Sequence, residues 1–372
     1  MKFLLTSLLF LSCLISCQQV QKVTDIVKKP TARELYERGF EDHDVAFLLW
    51  KRSYNEAKAS RLNAILPFSM DAGITNQGRA LGYRIDLSEG ERLIVRTTAT
   101  TDSLEIFADV FPFENDSVLA KEPSVRKEWR KDSLVFSVRQ SGAYQLIVQP
   151  VMADTAYYHF KAYTLPSYSF PVAGKSNNAI QSFWGAARDG GKRSHKGVDI
   201  FANRGTPVVA AVDGTIRSTG NRGLGGKQVW LRDGLFGASL YYAHLDSIAV
   251  SRGERVKIGD TLGFVGNTGN AKYTKPHLHF GIYGTYGAVD PLPFIKIKKI
   301  PMKSIDTVAF EGTTRLKQNQ LRTGASTKFD KLATLPKKNQ LKLLGKSNDW
   351  YHVEVGDSLQ GFMHQSLIIP KN

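Results

Sequence analysis

The sequence predicts a mostly β chain built from several domains, and three observations carry that expectation. Residues 67–166 break into short runs of alternating apolar and polar residues, among them Y-R-I-D-L, R-L-I-V-R-T and Y-Q-L-I-V-Q-P, divided by turn-forming clusters such as S-E-G-E and Q-S-G-A. Period-two alternation marks strands buried on one face, so this region reads as an antiparallel sandwich-like domain. Residues 167–294 are rich in glycine and β-branched residues, which suits a compact antiparallel β domain of tight hairpins. Residues 306–372 fall again into short runs, after a stretch at 295–305 whose K-I-K-K-I-P reads as a linker. Only residues 31–66 show helical spacing, through Leu35, Tyr36 and Phe40 and then Val45, Phe47, Leu48, Leu49 and Trp50.

Taken in order, the chain begins with Lys2 and an apolar run from Phe3 to Ile15, too short for a membrane span and suited to a secretory signal. The run ends L-I-S-C, which resembles a bacterial lipobox and makes Cys17 the expected lipidation site, with residues 1–16 as the signal and 17–30 as a tether. Acyl chains there would anchor the protein to a membrane. Gln18 in place of Asp points, in a cell with two membranes, to the outer one facing the periplasm. Cys13 would leave with the signal and Cys17 would carry lipid, so no thiol remains for a disulfide or a nucleophile, and cysteine-peptidase chemistry is excluded. The sandwich-like region can bind a glycan or a protein, or position its neighbour. No motif selects among these, and a protein activator stays open as a further partner. His43, in E-D-H-D, reads as a solvated turn residue, and His159 as a strand histidine among aromatics.

The chemistry concentrates between His195 and Phe280, where H-K-G-V-D-I, Y-Y-A-H-L and P-H-L-H-F follow one another. Side chains two apart on a strand leave the same face, so His277 and His279 point together while Leu278 enters a core. A catalytic zinc takes three protein ligands and leaves one position for water. His195, Asp199 and one member of the H-L-H pair supply that set. The other member and His244 would lie beside the metal, where a general acid or base belongs. The helical H-E-x-x-H pattern does not occur.

These strings, with G-T-P-V-V-A-A-V-D-G-T-I from Gly205 and R-V-K-I-G-D-T-L-G-F-V-G-N-T-G from Arg255, resemble the lysostaphin-like (LytM-type) zinc endopeptidases of bacterial peptidoglycan over most of residues 170–294. The resemblance implies one Zn2+ per chain held by His195, Asp199 and His279, with His277 and His244 as catalytic histidines whose two roles can be exchanged. It departs from the family at Lys275, where glycine is usual before P-H-L-H-F, and at Asp189, where some members carry a tyrosine six residues before the first ligand. The R-D-G-G-K-R-S loop before His195 offers cations that suit acidic stem peptides, or is simply solvated.

The tail, with L-P-K-K-N-Q-L-K-L-L-G, N-D-W-Y-H-V-E-V and Q-G-F-M-H-Q-S-L-I, resembles a bacterial SH3-type barrel, a module often appended to wall hydrolases. Trp350, Tyr351 and Phe362 are candidates for an aromatic groove for wall peptide, although core packing explains at least some of them, while the resemblance makes His352 and His364 barrel residues. A net charge of +16 calls for anionic partners. In an exported lipoprotein these are wall peptides and envelope polymers rather than nucleic acid. The alternative to a hydrolase is a non-catalytic regulator or wall-binding protein of the envelope, against which the filled set of five chemical positions argues.

Overall fold

The computed structural model describes residues 30–371, except 75–77, 102–103, 116–118, 122, 125–128, 131–132, 154, 235, 299, 301–306 and 357. The signal, the tether up to residue 29 and Cys17 lie outside the described residues, as does most of the linker. The chain is mostly β, with antiparallel sheets and few helices.

The helical spacing at the start yields two helices. Ala32–Glu37 opens with a reciprocal cap: the Thr31 hydroxyl accepts from the Glu34 amide and the Glu34 carboxylate accepts from the Thr31 amide. Val45–Ala59 is capped by Asp44, which accepts from the Phe47 amide. It buries Phe47, Trp50 and Ala57, and the Trp50 indole donates to the Pro150 carbonyl at 2.9 Å. Beyond Ala59 the chain is not helical up to Pro67. Proline disfavours helix at the residue before it, and Asn63 instead bridges to Arg84 and Gly324.

A sandwich follows. One sheet runs Phe68–Ile74, Ala156–Pro166, Glu91–Ala99, Ser133–Ser137 and Trp129–Arg130; the other runs Leu81–Leu87, Gly142–Pro150 and Ile106–Pro112. Leu93, Val95 and Phe160 of the first meet Tyr83, Leu146 and Val148 of the second in one buried core.

The segment that carries the chemistry forms a separate sheet in the order Arg255–Val256, Gly214–Arg222, Gly226–Asp233, Ser239–Ile248, His277–Gly284, Val198–Phe201 and Ile180–Ser182. One face is apolar throughout: Val198, Ile200, Val229, Leu231, Leu240, Tyr242, Leu278 and Phe280 are all completely buried. At roughly 1.5–3 kcal/mol per fully buried large side chain, that face fixes the register. The opposite face is left to function.

The tail folds into paired short strands with its own core of Leu321, Leu343, Val353, Met363 and Ile368. It also joins the sandwich. Gln340–Ser347 pairs with Phe68–Ile74 through Lys346 and Asp71, Arg79 grips Glu354 with both guanidinium nitrogens, and Tyr83 and His352 share a hydrogen bond of 2.9 Å. The three candidate rings pack into cores and do not line a groove together. Phe362 is completely buried in the sandwich core, Trp350 packs against that core, and Tyr351 is buried in the barrel. A ring that fills a core and a ring that lines a groove look alike in sequence.

Candidate metal centre

His195, Asp199 and His279 meet on the functional face. Asp199 lies in Val198–Phe201, and His279 stands directly opposite it in the neighbouring antiparallel strand. His195 is held just before that strand by two backbone bonds, its amide to Ala186 and its carbonyl from Gly185. His195 Nε2, His279 Nδ1 and one Asp199 oxygen form a triangle with all three edges 3.0 Å.

The protonation of the ring nitrogens follows from their partners, because a nitrogen facing a carbonyl must carry the hydrogen. His195 Nδ1 donates to the Phe183 carbonyl at 2.9 Å, which leaves Nε2 as a lone pair aimed into the triangle. His279 Nδ1 has one hydrogen at most to share, so without a cation acceptors confront one another in a nearly closed site. A cation suits all three at once. The edges are a little shorter than the ~3.4 Å that donors take around tetrahedral zinc with bonds of ~2.0–2.1 Å, so the residues fit such an ion.

Electrostatics favour the same donor form. Burial pushes the Asp199 carboxyl up, but the close approach of the His195 and His279 imidazoles outweighs it and holds it well below the usual carboxylate range. Burial pushes His279 down, so its ring is neutral. Arg188 donates to the other Asp199 oxygen at 2.7 Å and to Ser182 at 2.6 Å, fixing which oxygen faces the triangle. Gly197, the glycine of H-K-G-V-D, leaves room for the His279 ring: a Cβ there would lie 2.8 Å from its Cε1 and 2.5 Å from the Phe280 carbonyl.

The remaining two histidines sit beside this triangle. His277 shares the strand face with His279, stacks on Phe201 at 5.0 Å, and donates from Nδ1 to the Lys275 carbonyl at 2.8 Å. Because that contact uses the backbone, lysine serves where family members have glycine. His244 takes a left-handed backbone, φ +63°, between its bonds from its own amide to Gly225 and from Nδ1 to the Thr268 carbonyl at 2.9 Å. Such a conformation in a bulky residue is strained and persists where surroundings enforce it. Its ring lies 5.1 Å from His277 and 5.8 Å from His279, and burial with the two neighbouring imidazoles pushes it down to about 4. Both His277 and His244 therefore hold Nε2 free of these carbonyls, in a cleft they line together with Tyr241, Leu224, Asn270 and Thr274.

The five predicted positions thus come together. Sequence reasoning missed Arg188 as the partner of Asp199, and Tyr241, which plain alternation along Y-Y-A-H-L sets on the face opposite His244; the left-handed backbone at His244 breaks that alternation and both line the cleft. The other histidines lie elsewhere: His159 pairs with Asp71 at 2.8 Å, His352 with Tyr83, His364 with the Ser366 hydroxyl at 2.8 Å, and His43 is exposed beside Glu41.

Residues 193–291, which hold all five positions, match the model of peptidase family M23, and residues 319–369 match the bacterial SH3 domain. The chain carries an M23 peptidase domain and a bacterial SH3 domain. Families of this type are metallopeptidases, in keeping with the His-Asp-His cluster. An L-Ala–D-Glu endopeptidase of Bacillus subtilis is 35% identical over 152 residues, 37% of this chain and 46% of that protein. The glycyl-glycine endopeptidase ALE-1 of Staphylococcus capitis is 42% identical over 111 residues, 28% of this chain and 29% of that protein. Among solved structures, the catalytic domain of lysostaphin from Staphylococcus simulans is 35% identical across 32% of this chain and 92% of that domain, with a TM-score of 0.29. The chain spans less than half the length of these two curated relatives.

Proposed function

We propose that this chain is a zinc endopeptidase of the bacterial envelope that hydrolyses peptide cross-links or stem-peptide bonds of peptidoglycan, anchored through lipid on Cys17. The observation that carries the reading is the triangle of His195 Nε2, Asp199 and His279 Nδ1 beside two histidines whose Nε2 atoms remain available. His195, Asp199 and His279 would hold the ion. Bound zinc supplies a Lewis acid and lowers the pKa of water from ~15.7 to ~7.

The chain's own residues do the rest. Phe183, Lys275 and Thr268 carbonyls fix the tautomers of His195, His277 and His244, as surrounding groups do around metal sites generally. His277, on the strand face of His279, accepts the proton of the attacking water at Nε2. That proton is returned to the leaving nitrogen by His277 or by way of His244, whose Nε2 faces the same cleft and donates to the developing oxyanion only after taking up a proton there. General acid–base catalysis of this kind contributes ~10²–10⁴-fold. Arg193 and Lys196 line the cleft and favour anionic peptide. The SH3 domain supports a wall-facing role, and the names of the two relatives specify different bonds.

The test is digestion of purified sacculi by the full chain. Soluble fragments that vanish with chelator and return with zinc are expected, and mass spectrometry of those fragments names the bond. Sacculi left intact by metal-loaded protein would favour the non-catalytic regulator instead.

A further inference from the structure

The functional face continues beyond the metal donors. Gly281, two residues past His279, pairs with Tyr241; Tyr241 pairs with Trp230; Trp230 pairs with Ser218. Directly paired positions send their side chains to one face, so Trp230 and His279 share it. The rings are also linked: His279 to Tyr241 at 5.8 Å, Tyr241 to Trp230 at 4.4 Å, and Trp230 to Tyr283 at 5.1 Å.

Three exposed arginines surround the indole. Arg232 lies two residues on along the same strand, and Arg217 and Arg222 come from the neighbouring strand, where a bulge between Ile216 and Ser218 inserts Arg217. Together they line an open trough with Gln228, whose side chain is bonded by the Tyr241 hydroxyl of the cleft. No aspartate or glutamate lines that trough among the described residues, and Arg222 donates only to Ser218, at 3.1 Å. Folding does not require this arrangement, because Val229 and Leu231 fill the core from the opposite face. Clustered like charges repel one another, and a ligand of opposite sign relieves that.

We propose that the trough extends the substrate cleft and holds the acidic part of a wall stem peptide, its carboxylates on Arg217, Arg222 and Arg232 and its apolar atoms on Trp230. Guanidinium forks pair with carboxylates in two-point contacts, and an indole face offers flat apolar area beside them. The inference rests on the endopeptidase reading, which supplies the ligand class. It narrows that reading to bonds flanked by carboxylates and away from uncharged glycine bridges.

The test is binding to full-length His277→Ala protein, followed by calorimetry, of three peptides: a stem tetrapeptide with free carboxylates, the same peptide fully amidated, and pentaglycine. The acidic peptide is expected to bind roughly fivefold more tightly than the amidated one, with the advantage shrinking in salt. It should disappear in R217S/R232S, which alters only exposed side chains, and survive in part in R217K/R232K. Equal binding of the acidic and amidated peptides, or an advantage that R217S/R232S keeps in full, would overturn the proposal. So would a single-stranded oligonucleotide of equal charge that binds more tightly than the acidic peptide. Digestion of sacculi by the wild-type chain separates the two readings. Intact sacculi with the carboxylate preference preserved would remove the hydrolase and leave the trough, whereas digestion without that preference would remove the trough alone.

Discussion

Two sets of buried histidines, one in the M23 domain and one at the junction of the sandwich and the SH3 domain, do opposite things. In the M23 domain, His195, His277 and His244 each give Nδ1–H to a backbone carbonyl, and each leaves Nε2 for a shared cleft. At the junction of the sandwich and the SH3 domain, His352 bonds Tyr83 through Nδ1 while its Nε2 is buried without a partner. The first arrangement concentrates available lone pairs around one point. The second spends an imidazole on packing beside Phe362, whose ring it stacks on at 5.1 Å. Burial alone therefore does not mark a functional histidine; convergence of the unoccupied nitrogens does.

The largest effect that sharpens this contrast comes from the donor set. Asp199→Ala should lower turnover of sacculi by at least on the order of 10³-fold, because the several kcal/mol supplied by the ion is lost with it. His277→Ala should cost ~10²–10⁴-fold in kcat through loss of the base, with thermal stability near that of wild type. Phe362→Ala, at the junction, should instead remove about 3–5 kcal/mol of stability in denaturant melts and expose the SH3 domain to proteolysis, with zinc content unchanged. Arg188→Met removes only the partner of the second Asp199 oxygen, and a loss of ~10–100-fold in zinc affinity is expected by chelator competition.

Spread over several pH units, and so smallest per unit, is a pH dependence. Burial, with Arg79 nearby, pushes His352 from 6.5 down to about 3. The unfolded chain takes up that proton below about 6.5 and the folded chain does not until about 3. Stability from this residue is thus fully present above pH 6.5 and declines as pH falls through that window, by up to ~1.4 kcal/mol per unit. His352→Gln should flatten the fall in melting temperature between pH 7 and pH 4 relative to wild type. His244, pushed down to about 4, acts with the same sign in metal-free protein, so the comparison belongs in zinc-loaded protein.

Much of the site was legible in the sequence because its determinants are local. H-x-H on a strand places two rings on one face, and H-K-G-V-D supplies two donors four residues apart with a glycine that makes room for the third. What escaped is carried by backbone or by distant pairing. The Phe183, Lys275 and Thr268 carbonyls could belong to any residue type, and Arg188 reads as one more surface cation until Asp199 is placed beside it. The sandwich strands announced themselves by alternation, whereas the pairing of Asp71 with Lys346 joins segments far apart in the chain and leaves no local trace. For the same reason Phe362 was open to reading as groove or core until the sandwich was seen around it.

The assignment of donors within H-L-H is the point on which the rest turns, and metal stoichiometry of two single variants tests it most directly. Purified full-length His277→Ala should retain about one zinc per chain, and His279→Ala should retain almost none. A loaded His279→Ala protein beside an empty His277→Ala protein would contradict the account.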